Sequence, residues 1–140
     1  MRRLVFLDFD GVLHPTSAGP SDLFCQAALL EEVLLGTDCG IVISSSWRHH
    51  DPLPEIVARL PRSLQPIVVG ATGDPFIGRW PRYNEIKTYI RHHAVGANWR
   101  ALDDSWIEFP PNCPELIACD PNIGFDRAQE EKLRAWLETK

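Results

Sequence analysis

Apolar residues along the chain fall into two patterns that take turns. Leu4-Val5-Phe6-Leu7 is a continuous apolar run ending in Asp8, and Ile41-Val42-Ile43 is a second ending in Ser44. Pro66-Ile67-Val68-Val69 ends at Gly70, Trp99-Arg100-Ala101-Leu102 ends at Asp103, and Leu116-Ile117-Ala118-Cys119 ends at Asp120. Short runs rich in branched residues, with no polar alternation, predict strands buried on both faces, as in a parallel sheet covered by helices. Between the runs the apolar spacing becomes helical. Leu53, Ile56, Val57 and Leu60 have i, i+3, i+4, i+7 spacing, with Asp51 as candidate N-cap and Pro52 at the first helical position. Leu23, Ala27, Leu30 and Leu34 lie along one face of the segment from Asp22 to Leu35, and Ile86, Tyr89, Ile90 and His93 form a third stripe. Asp126 with Gln129 predicts a capping box ahead of Leu133, Trp136 and Leu137. Strand and helix alternate, which predicts an α/β fold with one doubly wound parallel sheet of about five strands.

Size sets the domain count: 140 residues, 44% hydrophobic and with five tryptophans, predict one domain over residues 1–140. The stretch from Gly70 to Pro81 reads as a long surface loop, the kind that is often functional. No apolar run approaches the roughly 20 residues of a membrane span. Met1-Arg2-Arg3 leads directly into a short run without the features of a signal peptide, so the expectation is a cytoplasmic protein without membrane contact. Four cysteines lack Cys-x-x-Cys spacing and a histidine at zinc-ligand spacing, which predicts reduced thiols and no zinc. The net charge of -5 argues against broad, charge-driven nucleic-acid binding and leaves room only for a local basic groove.

The candidate chemistry sits where the predicted strands end. Asp8 and Asp10, the triplet Ser44-Ser45-Ser46, and the pair Asp103-Asp104 all fall on the carboxyl edge of the sheet, where open α/β sheets bind ligands. Carboxylates gathered at one point repel one another, so such a site needs a cation or retained protons. Hard oxygen donors with no clustered histidine or thiolate suit Mg²⁺, and a magnesium ion among carboxylates suits phosphoryl transfer.

Phe6-Leu7-Asp8-Phe9-Asp10-Gly11-Val12-Leu13 resembles the first motif of the haloacid dehalogenase superfamily, a hydrophobic strand followed by Asp-x-Asp-Gly-Val/Thr-Leu. Asp-Gly-Val-Leu-His-Pro at 10–15, Ser-Ser-Trp-Arg at 45–48, Arg-x-x-Glu-Ile at 82–86 and Leu-Asp-Asp at 102–104 extend the likeness. Over essentially the whole chain it resembles the small phosphatase-like domains associated with RNA repair enzymes. The resemblance implies a Rossmann-like, capless domain and a Mg²⁺-dependent phosphatase working through an aspartyl-phosphate. On that reading Asp8 is the nucleophile. Asp10 is the acid and base and ligates the metal through its backbone carbonyl. Gly11 lets the chain turn out of the strand beside the substrate. Ser45 contacts the phosphoryl group, with Ser44 close behind. Arg82 is favoured over Lys87 as the cation bridging nucleophile and phosphate. Asp104 is the direct metal ligand and Asp103 stands behind it.

Four residues have two readings each. His14 faces the substrate or is structural, and Trp106 faces it or covers the sheet edge. Trp47 and Arg48 contact a substrate group or serve packing. With no room for a cap after Leu13 or in the 70–81 loop, an open site suits a bulky phosphoester such as a nucleic-acid end or a phosphoprotein, whereas the acidic charge favours small phosphoesters. Two alternatives remain. A receiver-type phosphoacceptor module gathers similar groups, but with the acidic pair first and the acceptor near mid-chain. A non-catalytic copy that binds phosphate or a partner would not need the complete aspartate set.

Overall fold

The central apolar runs become strands because neither of their faces meets water, whereas the runs at the two sheet edges stay partly exposed. In the computed structural model, which describes residues 3–139, β1 (Arg3–Leu7), β2 (Gly40–Ile43), β3 (Val68–Ala71), β4 (Asn98–Asp103) and β5 (Leu116–Ala118) form one sheet in the order β3-β2-β1-β4-β5. Every pairing is parallel. Met1 and Arg2, part of the amino-terminal segment read above, lie outside the described residues, as does Lys140.

Alternation along β1 divides the core in two. Val5 and Leu7 pack with Ile41, Ile43 and Leu102 under α1 (Ala27–Leu34), α2 (Leu53–Ala58) and α4 (Arg127–Leu137). Leu4 and Phe6 pack with Val42, Trp99 and Ala101 under α3 (Pro81–His93) on the opposite face. A fully buried side chain of this kind contributes about 1.5–3 kcal/mol. With Phe6, Leu7, Ile41, Ile43 and Leu102 all at 0% exposure, the strands that carry the site form the most protected part of the molecule.

Several predicted boundaries shift, each for a local reason. The first helix starts at Ala27 instead of Asp22, because Phe24 adopts a left-handed backbone (φ 63°) that ends the preceding 3₁₀ turn Pro20–Asp22. Pro52 itself is the N-cap of α2, in extended conformation and without a side-chain cap, so Asp51 does not cap that helix. β3 begins at Val68, after a 3₁₀ turn over Gln65–Ile67 in which Pro66 has no N–H to give a ladder. Gly70 and Ala71 belong to that strand and Pro81 opens α3, which confines the loop to residues 72–80. The Asp126–Gln129 capping box is present as predicted.

No helix among the described residues is long and apolar enough to cross a membrane. All four cysteines are free thiols.

Candidate functional site

The strand order places the site. From β1 the chain steps outward to β2 and β3, then crosses back over β1 to β4 and on to β5, so β1 and β4 are neighbours that lead away in opposite directions. The carboxyl ends of such a pair leave a crevice that ligands occupy in open sheets.

Three strand ends come level there. Asp8 N–H donates to Leu102 O (3.1 Å) and Ser44 N–H donates to Leu7 O (2.8 Å), continuing the ladders one residue past β1 and β2. Strand alternation then sends Asp8, Ser44 and Asp103 toward the side where Phe6, Val42 and Ala101 meet α3. All three are buried, at 6%, 1% and 1% exposure.

Arg82, in the first turn of α3, enters the same crevice. Its Nη1 lies 2.9 Å from Asp103 Oδ2 and 3.6 Å from Asp8 Oδ1, and it also donates to the Ser44 carbonyl. Burial pulls the guanidinium toward losing its proton, but Asp103, Asp8, Glu108 and Glu85 outweigh that and hold its pKa above the ordinary value. The site therefore carries one fixed positive charge. Lys87, the other candidate cation, is exposed further along α3, and its ammonium makes no ion pair or hydrogen bond among the described residues. Of the two, Arg82 is the one in contact with the cluster.

One cation does not balance the acids. Asp8, Asp103 and Asp104 each present an oxygen, all within 4.8 Å of one another. Burial first, then the adjacent Asp103 charge, raises Asp8 well above the ordinary carboxylate range against the pull of Arg82. Burial likewise raises Asp103 to about 6. Hard oxygen donors held this close, and short of positive charge, fit a divalent cation such as Mg²⁺. The two members of the pair differ. Both Asp103 oxygens are engaged, Oδ2 by Arg82 and Oδ1 by the Ser105 N–H at 2.9 Å. Asp104 is half-buried and packs over Gly11. A Cβ on Gly11 would stand 2.3 Å from Asp104 Oδ2, and its φ is +78°, so the turn out of β1 and the approach of Asp104 both require glycine.

Asp10 lies just beyond the turn, its side chain 48% exposed, with both oxygens held. Trp47 Nε1–H donates to Oδ2 (2.9 Å), and His14 Nε2 lies 2.8 Å from Oδ1. His14 Nδ1 accepts the Phe24 N–H at 3.1 Å, so the imidazole carries its hydrogen on Nε2 and donates it to Asp10. Rings of Phe9, Phe24 and Trp47 pack edge to face around this pair. His14 and Trp47 thus act on Asp10.

The serines separate. Ser45 Oγ accepts the Trp47 N–H (3.2 Å) and caps the 3₁₀ turn Ser46–His49, whereas Ser44 Oγ is buried beside Asp8 with no hydrogen-bond partner among the described residues. Of the two, Ser44 has the free hydroxyl and Ser45, the one preferred from the sequence, has its oxygen engaged. Arg48 points to structure instead of ligand: it donates to Glu85 (2.7 Å), the Ser45 carbonyl (2.9 Å) and the Gly73 carbonyl (3.0 Å). Glu85, which sequence reading left without a role, also accepts the Phe76 N–H at 3.1 Å, tying α3 to the 72–80 loop. Its only signal was membership of the Arg-x-x-Glu-Ile segment.

These features define a haloacid dehalogenase-like domain, a class that is phosphatase-like at the superfamily level. Within it the chain belongs to the family described as the HAD domain in Swiss Army Knife RNA repair proteins, whose profile matches residues 4–129. No curated protein and no solved structure matches the chain.

Proposed function

We propose that this domain hydrolyses phosphomonoesters at a magnesium-dependent site, with Asp8 as nucleophile. The observation that carries the reading is a pairing of unlike carboxylates: a buried Asp8 held 3.6 Å from Arg82, and a half-exposed Asp10 fixed by two donors. That contrast supports one group as the nucleophile and the other as the proton carrier.

In the first step an Asp8 oxygen forms a bond to phosphorus while the bond to the leaving oxygen breaks, and Asp10 gives that oxygen its proton. In the second, Asp10 takes a proton from water as the water oxygen attacks phosphorus and the acyl-phosphate bond to Asp8 breaks. Arg82 lowers the repulsion between Asp8 and the phosphate. The buried, unpartnered Ser44 hydroxyl supports it, in place of Ser45, as a donor to a phosphoryl oxygen. Asp8, Asp104 and the Asp10 backbone carbonyl would hold the metal, with Asp103 fixing Arg82. Bound there, magnesium would supply positive charge that offsets the phosphate dianion.

The family description supports a phosphorylated RNA end as the substrate class. So does the open rim: between Leu13 and α1, and between β3 and α3, the only regular element is one short 3₁₀ turn, so no folded insertion roofs the crevice. Phosphate release by purified protein with magnesium, from a panel of phosphorylated oligonucleotide ends, nucleotides, sugars and peptides, tests the reading. Asp8→Asn should fold normally and lose essentially all turnover. Survival of a tenth of the wild-type rate would remove Asp8 as nucleophile.

A further inference from the structure

Beside the acidic pair the sheet edge opens into an apolar groove that the proposed chemistry does not use. It encloses about 330 Å³ and is lined by Trp80, Trp106, Ile107, Phe109, Pro110 and Pro111 among others, which puts it within the ~300–1,000 Å³ range of small-ligand sites. Trp106 is 68% exposed and Ile107 71%, an unusual amount of large apolar surface to leave in water. The Trp106 indole makes no hydrogen bond or ring contact among the described residues. Trp80 is held in the left-handed region (φ 53°, ψ 63°), a strained backbone for a bulky residue and one that recurs at ligand sites.

The groove adjoins the carboxylate crevice through chain neighbours of its lining. Trp106 follows Asp104 by two residues and Trp80 precedes Arg82 by two, steps that span at most about 7 Å. Glu108 joins the two regions, its Oε2 lying 3.9 Å from Arg82 Nη2. The exposed guanidinium of Arg79 lies over the Trp80 ring, 5.4 Å from its centroid.

We infer that this groove is a nucleobase subsite, taking the base of the nucleotide whose terminal phosphate enters the crevice, with Arg79 beside the next phosphate of the strand. The inference rests on the phosphatase reading above and adds what the substrate must carry. An indole surface beside the carboxylate crevice offers a face on which a base can stack, and the guanidinium over Trp80 offers a charge for a backbone phosphate. Walls built from tryptophan and proline offer a π face and few donors, so the subsite would accept any base. A peptide would instead leave backbone groups unpaired against Pro110 and Pro111, which have no N–H to give.

The test uses Asp8→Asn protein, to prevent turnover, titrated with a hexaribonucleotide bearing a terminal phosphate and with the same strand abasic at that terminal nucleotide. Stacking of one base contributes about 1–3 kcal/mol, so the intact strand should bind about 5–150-fold tighter. Trp106→Ala in the same background should bring that ratio close to one, and Trp106→Phe should restore most of it. Equal affinities, a preference that survives Trp106→Ala, or tighter binding of a phosphotyrosine peptide would overturn the inference. Hydrolysis of ribose phosphate by the unsubstituted protein judges the phosphatase reading separately. Turnover without a base preference discards the subsite alone; a base preference without turnover keeps the subsite and discards the catalytic reading.

Discussion

Trp47 and Asp10, 37 residues apart, are joined by a single hydrogen bond from the indole N–H to Oδ2 at 2.9 Å. That bond leaves one lone pair on each Asp10 oxygen for a leaving group or water, since His14 holds the other oxygen. In the mechanism we propose, it sets the direction in which Asp10 would deliver a proton.

Trp47→Phe keeps a ring against Phe9 and Phe24 but removes the donor. A hydrogen bond to a charged group is worth about 1.5–3 kcal/mol, so turnover of alkyl phosphates should fall roughly 10-fold or more. Activated aryl phosphates, whose leaving groups need little protonation, should be affected less. Rates for a series of leaving groups check this, and an equal loss across the series would mean that Trp47 does not act through Asp10.

Asp103 and Asp104 should respond differently to substitution. Asp104→Ala is expected to raise the magnesium concentration for half-maximal rate on the order of 10-fold or more, because it removes an oxygen aimed into the carboxylate cluster. Asp103→Ala releases Arg82 from its 2.9 Å pair, and its main effect should be a lower maximal rate at saturating magnesium. Magnesium titrations of both variants with one activated substrate separate the two effects, and a larger shift for Asp103→Ala would reverse the assignment.

Stability without metal should depend on pH in a defined direction. Burial holds Asp103 up at about 6 and Asp8 well above its ordinary range, so the folded state binds more protons than the unfolded one. Their contribution is fully present below about pH 4 and is lost as pH rises through about 6. Thermal melts in chelator should show the melting temperature falling over that window. Added magnesium should raise it more near neutral pH than near pH 5, since the ion compensates carboxylates only once they are charged. A magnesium effect independent of pH would mean that these two groups do not meet the ion.

What the sequence determined is local. Short, mostly apolar runs identified β1, β2 and β4, the last despite Arg100, and the edge where Asp8, Ser44 and Asp103 emerge, because burial on both faces leaves its mark on most residues of a strand. The Asp8-Phe9-Asp10-Gly11 turn was equally legible, since its chemistry and its φ > 0 glycine lie within four residues.

The contacts between those segments were decided by tertiary structure alone. Ser44 shares the α3-facing phase of β2 because register with β1 points every second residue that way, a phase that a run of three serines cannot reveal. Arg82 meets Asp8 and Asp103, and Arg48 meets Glu85, only because the chain crosses from β3 back over β1 to β4, bringing the start of α3 over the strand ends. Periodicity records which face of an element is buried but not what lies across from it. Trp47 on Asp10, and the groove between Trp80 and Trp106, depend on where separate segments come to rest.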